Sequence, residues 1–366
     1  MRVLSDFFSV GMSRTKKRKA LNYIGRNWAL LFLILMLMLF SILGKNFFGL
    51  RNFSNILLAV TTLLLLATGE TFVIISGGID LSIGFVMGFV AVTAAIIMRD
   101  LHAAGFPQAI SILAGSSLGI LLGLIPGFIN GALITKFRVP PFIATLGMWG
   151  IANGIAWRIS EGFPIAFLPP KVRDIGMAYI AYYSSKKGFS LFHRPVLTER
   201  ADIWNLMKII PLPVLLIAIL LVFFAFILSR TKFGQHTYAI GGKVDAAIRA
   251  GINVPWHLIK VYVISSFFAA CAGLLLVFKL NMGVHTQYTS SYELFAIAAV
   301  VIGGASLMGG KGSIWGTAIG VLLIETLNNG LIMMDLPIFY RYIAIGCILI
   351  AAVLIDQFFP ELVYEE

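Results

Sequence analysis

"RTKKRKALNYIGRNWALLFLILMLMLFSILG", Arg14 to Gly44, sets a basic cluster directly against a long apolar run. Seven Lys and Arg residues and one acid, Asp6, precede that run. A secretory signal peptide also starts basic, but its apolar core is shorter and ends at a small-residue cleavage site. No such site follows here. The stretch reads as an uncleaved first membrane span with its basic end in the cytoplasm.

The rest of the chain agrees with that start. Of 366 residues, 59% are hydrophobic and only 12% are charged, with a mean hydropathy of +0.93. Soluble domains carry about 25% charged residues, so the apolar excess points to one polytopic membrane domain. Thirty-six glycines fit, because Gly is commoner in membrane helices than in soluble ones. The net charge of +12 does not indicate nucleic acid, since the basic residues fall between apolar runs and form no continuous face. Cys271 and Cys347 lie inside apolar segments, at no metal-ligand spacing and with nothing to support a disulfide.

A span needs about 20 mostly apolar residues. Ten stretches qualify: 28–48, 53–75, 79–98, 108–134, 141–159, 209–229, 258–280, 292–308, 313–333 and 339–357. The expected fold is an all-α transmembrane bundle of about ten spans with both termini cytoplasmic. Residues 1–27 form a basic cytoplasmic segment, 28–357 the membrane domain and 358–366 a cytoplasmic tail. The pairs around Gly77 and Gly310 are joined by a few Gly-rich residues, as two spans and a turn or as one broken helix. Cytoplasmic segments would carry 15 Lys and Arg and external ones 13, so orientation rests on the N-terminal cluster, Lys136, Arg138 and the 230–257 loop. Residues 160–208 are too polar to span and form an external loop, either folded or flexible.

Several polar elements interrupt the apolar pattern. "SGGIDLSIG", Ser76 to Gly84, allows a tight turn at Gly77 and Gly78, with Asp80 placed to accept from free N–H groups of the next helix. It reads both as a capped turn and as a gating element at the cytoplasmic mouth. "VIGGASLMGGKGSIWGTAIG", Val301 to Gly320, holds a second such turn at Gly309, Gly310 and Lys311. It is not a phosphate loop: Gly312 follows Lys311 where Ser or Thr is required, and Ala305 stands where the first Gly belongs. The other Gly-Lys pair, Gly242–Lys243, is followed by Val244 and fails too. No nucleotide or other cofactor site is found, the five histidines are scattered, and no catalytic constellation stands out.

Glu70 and Glu325 lie within apolar spans, where a charge costs roughly 2.5–3.5 kcal/mol on insertion scales and so faces a cavity or a partner. Asn328 and Asn329 follow Glu325, and Asn153 lies in another span; these are the candidate contacts to a polar solute. Helix–helix hydrogen bonding inside the bundle is the competing reading. Asn130, Trp149 and Trp157 are weaker candidates.

"TKFGQHTYAIGGKVDAAIRAGINV", Thr231 to Val254, is the most polar long stretch of the second half. A flexible Gly241–Gly242 turn is expected, then a short helix ending at Gly251. Ala246, Ala247 and Ala250 offer little bulk, while Lys243, Asp245 and Arg249 supply polar anchors. That suits a docking helix for a soluble partner, the alternative being an ordinary connector.

"DAAIRAG" resembles the EAA-type loop of ABC importer permeases, through Asp245, Ala246, Ala247 and Gly251, with Asp for Glu. "SGGIDLSIG", "PPFIATLGMWGIANG", "TKFGQHTYAIGGKVDAAIRAGI" and "ELFAIAAVVIGGASLMGGKGSIWGTAIG" are similar, in order, to permeases of ribose-, xylose- and galactose-type ABC importers, over about residues 50 to 356. Lys243 and Ala250 depart from the family's frequent Asn and Ser. The resemblance implies a non-catalytic permease of a bacterial inner membrane, paired with a second permease subunit. A cytoplasmic ABC ATPase subunit would dock on the coupling loop, and an extracytoplasmic sugar-binding protein would deliver the solute. Rival readings are an ABC permease for a nucleoside or other heterocycle, a proton-coupled secondary transporter using Glu70, Asp80 and Glu325, and a membrane enzyme.

Overall fold

The computed structural model describes residues 28–44, 46–184, 186–192, 194–195, 206–285 and 292–358. The expected N-terminal segment 1–27 and most of the tail lie outside them. The described elements run in the order α1 (Trp28–Leu43), α2 (Leu50–Ile75), α3 (Ile83–Ala103), α4 (Gln108–Lys136), α5 (Pro141–Ser160), α6 (Pro170–Gly176), β1 (Tyr179–Ser184), β2 (Gly188–Leu191) and β3 (Met207–Pro211). They continue with α7 (Leu212–Arg230), α8 (Lys232–Gly242), α9 (Val244–Arg249), α10 (Val254–Leu280), α11 (Tyr292–Ile302), α12 (Ile314–Met333) and α13 (Ile338–Phe358).

A helix stands at each of the ten expected stretches. Six of them, α2, α3, α4, α7, α10 and α12, are long and apolar enough to cross a membrane, whereas α1 and α11 are shorter apolar helices. Helix α11 corrects the expected 292–308 span. At about 1.5 Å per residue its 11 residues cover only about half of a hydrocarbon core. It stops where Gly304 takes φ +90°. An irregular stretch then runs to Ser313, whose Oγ accepts from Gly316 N at 3.0 Å to start α12. Such backbone is tolerated at membrane depth only when protein buries it. Helix α12 covers the end of α11, where a methyl on Gly320 would overlap the Ala299 carbonyl and one on Gly316 the Gly303 carbonyl, while Leu307, Met308, Lys311 and Ser313 of the stretch are exposed.

Helix α10 is the central element, packed against α4, α2 and α3. The close approach comes from a glycine every fourth residue on α4: Gly115, Gly119, Gly123, Gly127 and Gly131. Residues four apart share one helix face, and small residues there let membrane helices touch backbone to backbone. A methyl on Gly123 would stand 2.6 Å from Ala270 Cβ, one on Gly131 2.6 Å from Ile259 Cα, and one on Gly127 would overlap the Tyr262 carbonyl. Polar residues inside α2 do not break it, because Thr61, Thr68 and Thr71 each donate to a carbonyl three or four residues back at 2.6 Å.

The 160–208 loop is a folded element in its described part, which corrects the all-α expectation. Strands β1 to β3 form an antiparallel sheet in the order β2-β1-β3. The sheet packs through β3 on α2, and α6 packs on α10 and α4. A methyl on Gly176 of α6 would overlap the Phe278 carbonyl, near the end of α10 away from α9. The loop element and the α8–α9 segment therefore cap opposite ends of the bundle.

Candidate functional site

The segment after α7 begins as α8, capped by Thr231, whose Oγ1 donates to Ile227 O at 2.6 Å and accepts from Gly234 N at 3.5 Å. No flexible turn occurs at Gly241–Gly242: α8 continues through both, and the break comes at Lys243 with φ −159°. Tertiary packing overrides the low helix propensity of Gly here. Helix α9 follows and ends as expected at Gly251, with φ +80° and its N–H on Ile248 O at 2.9 Å.

The orientation of α9 differs from the expectation at one position. Ala247 is buried with Ile240 and Val254, against Ile252 and Leu258, so it anchors α9 to the bundle and does not stand on its outer face. The outer face carries Val244, Asp245, Ala246, Ile248, Arg249, Ala250 and Gly251, all exposed. Val244 and Ile248 form an exposed apolar pair at i, i+4 spacing. The sequence reading passed over them, although two apolar residues four apart in a polar hexamer were the available signal.

Helix α8 meets both Gly-rich breaks. A methyl on Gly241 would overlap the Ile75 carbonyl and stand 2.6 Å from Gly310 N. Gly310 N itself donates to Ile75 O at 2.8 Å. Gly77, Gly309 and Gly310 have φ of +87°, +83° and +75°, which L side chains rarely adopt. A methyl on Gly309 would lie 3.0 Å from Gly77 Cα, and one on Gly310 2.9 Å from Gly242 Cα. Tyr238 of α8 donates its hydroxyl to Gly312 O at 2.8 Å, and burial raises its phenol above the ordinary pKa, so it stays a donor. Lys311 accepts through its carbonyl from Ser306 N at 3.2 Å, with its side chain exposed. The end of α2, the 303–313 stretch and α8 thus form one backbone-to-backbone junction.

Just beyond it the 76–82 turn closes round Asp80, which is fully buried. Asp80 Oδ1 accepts from Ser82 N at 2.9 Å and Ser82 Oγ at 2.5 Å, and Oδ2 accepts from Ser265 Oγ at 2.9 Å. The carboxylate therefore holds the residue that starts α3 and does not reach into the first turn. Glu70 Oε1 accepts from Asp80 N at 3.0 Å. Asn130 Nδ2 donates to Ser82 Oγ at 3.1 Å, and Thr145 Oγ1 to Ile79 O at 3.2 Å. Residues of α2, α4, α5 and α10 are joined at this hub.

The remaining candidates do not join it. Glu325 lies within electrostatic reach of Lys279 and accepts from Asn328 Nδ2 at 3.5 Å. Lys279 Nζ also donates to Leu58 O at 3.1 Å and to Thr62 Oγ1 at 3.3 Å. Thr62 is eight residues from Glu70 on α2, about 12 Å along the helix. Asn329 and Asn52 exchange two amide hydrogen bonds at 2.8 and 2.9 Å, a helix–helix contact. Asn153 is half-buried on α5, between Gly150 and Gly154, where a methyl would meet nothing within 4 Å. Trp149 packs on Phe85 with ring centres 4.3 Å apart, and Trp157 on His285 at 5.0 Å. Among the described residues no group of three or more His, Cys, Asp or Glu is placed to hold a metal ion.

Comparison with known proteins covers nearly the whole of this architecture. Residues 52–353 match the family described as branched-chain amino acid transport system / permease component. The chain is 37% identical over 325 residues to the ribose import permease protein of Bacillus subtilis (strain 168), covering 89% of this chain and 90% of that protein. It is 36% identical over 340 residues to the xylose transport system permease protein of Haemophilus influenzae, covering 84% and 88%. The ribose import permease protein of Escherichia coli (strain K12) is 34% identical over 335 residues, covering 90% and 92%. No solved structure matches the chain.

Proposed function

The chain belongs to the branched-chain amino acid transport system / permease component family, and from that premise we propose that it is the pathway subunit of an ABC importer for a monosaccharide, ribose or a related pentose or hexose. The sugar class follows the ribose and xylose permeases it resembles over most of its length. It is a multi-pass membrane protein, placed by this reading in a bacterial inner membrane. It performs no catalysis. ATP hydrolysis belongs to a cytoplasmic ABC ATPase subunit, an extracytoplasmic binding protein delivers the sugar, and a second permease subunit completes the pathway.

The observation that carries the reading is the junction. The exposed face of α9 is continuous with α8, and Gly241 of α8 touches the carbonyl that ends α2 and the N–H of Gly310 in one place. A partner that pushes on Val244, Asp245, Ala246, Ile248, Arg249 and Gly251 moves a body packed against both broken-helix turns and hydrogen-bonded to the second through Tyr238. Those turns, at Gly77, Gly78 and Asp80 and at Gly309, Gly310 and Lys311, are the gating elements. Asn153 is the polar residue proposed to meet sugar hydroxyls, on α5, where a methyl on Gly150 or Gly154 would meet nothing within 4 Å among the described residues. Glu325, Asn328 and Asn329 hold the bundle.

The test is recovery of the ATPase with the permease. Gly251→Arg places a bulky charged side chain at φ +80° on the exposed face. It should still insert in the membrane but co-purify with several-fold less ATPase, and uptake should fall in proportion. Lys186→Glu, in the opposite loop element, should recover as much ATPase as the wild type. Equal recovery with Gly251→Arg would make α8–α9 a plain connector.

A further inference from the structure

The Asp80 hub brings together two buried carboxyl groups and more unpartnered oxygen than the described residues satisfy. Glu70 and Asp80 are both fully buried and lie one hydrogen bond apart. The Arg99–Asp100 ion pair is far along the sequence from either and lies on an exposed helix end. Around the two carboxylates, Glu70 Oε2, Tyr262 OH, Ser266 Oγ and Asn130 Oδ1 are buried with no hydrogen-bond partner among the described residues. Unpaired polar atoms are rare in folded interiors, and each calls for a water or an ion.

Tyr262 and Asn130 connect directly to the turn that holds Asp80. The Tyr262 phenol is within electrostatic reach of both Asp80 and Glu70, and its oxygen stands against Gly78 in the same turn. Asn130 bonds Ser82, which also bonds Asp80, whereas Ser266 Oγ lies against Gly127 of α4. Helix α2 ends at Ile75, and the negative end of its dipole adds to the field. Every available ligand is oxygen, which selects a hard cation. Among the described residues two carboxyl groups meet here with no histidine or cysteine and form no larger metal-ligating group, which fits a monovalent ion; the next carboxyl group, Glu293, has its Oε2 against Gly84 of α3. Unwound backbone at a helix break, facing buried carboxylates, is a chemistry by which membrane proteins hold Na⁺.

We propose that Glu70, Asp80 and Tyr262, with Asn130 at the rim, hold a dehydrated monovalent metal cation, Na⁺. The ion neutralises the carboxylate pair and ties the 76–82 turn to α2, α4 and α10 beside the α8 junction. This site does not depend on the sugar or on the ATPase.

The test uses the full-length chain in detergent. Binding of ²²Na⁺ is measured directly, and thermal unfolding is followed by tryptophan fluorescence in NaCl and in choline chloride at equal ionic strength and pH. Saturable binding of about one ion per chain is expected, with a Tm that climbs with Na⁺ as mass action requires and stays low in choline. Glu70→Gln keeps the shape and should lose both effects, and Tyr262→Phe should weaken the apparent affinity. Absence of saturable ²²Na⁺ binding to the wild type overturns the proposal, whatever the variants do. So does unchanged binding in Glu70→Gln, and so does a stability that follows pH while ignoring Na⁺, because a proton would then neutralise the pair.

Discussion

Two sets of glycines hold this molecule together, and they do different things. The stripe on α4 sits on regular helix, and its neighbours are the side chains and backbone of α3 and α10. The set at Gly77, Gly241, Gly309 and Gly310 is different: three of the four adopt positive φ, and their neighbours are almost all backbone from two other segments. The stripe makes a seam between straight elements, which has one arrangement. The junction joins the ends of two helices, α2 and α8, to the irregular 303–313 stretch through backbone contacts. Absence of a side chain thus gives a helix–helix seam in one place and, on the proposed reading, a movable joint in the other.

The comparison is tested first where the effect is largest. Gly127→Leu would drive a side chain into the Tyr262 carbonyl and to 2.7 Å from Ser266 Oγ. Overpacking of this kind costs about 1–3 kcal/mol or more. The detergent-solubilised yield and the Tm should both drop sharply; a Tm equal to wild type would show that the seam is not close-packed. Tyr238→Phe removes one hydrogen bond between α8 and the 303–313 stretch. A neutral bond contributes about 0.5–1.5 kcal/mol, so uptake should fall a few-fold with little change in Tm. A large Tm loss would mean that the junction is a structural weld. The smallest effect belongs to Gly150→Ala on α5, where a methyl meets nothing within 4 Å. Ala gains up to about 1 kcal/mol of helix propensity, so the isolated chain should be as stable as the wild type or slightly more so.

Much of the fold was legible in the apolar pattern, because a membrane forces about 20 apolar residues into each crossing and leaves few other solutions. The failures are physical. The 292–308 stretch is apolar enough for a span, yet its helix ends early where Gly303 packs on Gly316 and Gly304 takes φ +90°. Gly241–Gly242 looks like a turn by propensity, but the Ile75 carbonyl and Gly310 hold it in a helix. Ala247 was assigned to the wrong face because six residues give too short a period to fix which side is buried. The strand "YIAYYS" had the aromatic and β-branched content of β structure, hidden in a loop expected only to be polar. Asp80 was readable as a cap, whereas Asn130, Ser265 and Tyr262 reach it from helices distant in sequence. The junction left no side-chain signal at all, since residues 75, 241 and 310 meet through backbone atoms.

The central claim is that α8 transmits motion to both turns through Gly241. It is tested most directly by Gly241→Ala in proteoliposomes carrying the ATPase subunit and the binding protein, with ATP hydrolysis and sugar uptake measured on the same preparation. The added methyl would collide with the Ile75 carbonyl and push α8 off the junction, while the exposed face of α9 is untouched. The account predicts normal ATPase recovery and continued hydrolysis, with uptake reduced about tenfold or more, the effect of about 1.4 kcal/mol or more at the step that couples them. Uptake at the wild-type ratio to ATP hydrolysed would contradict it.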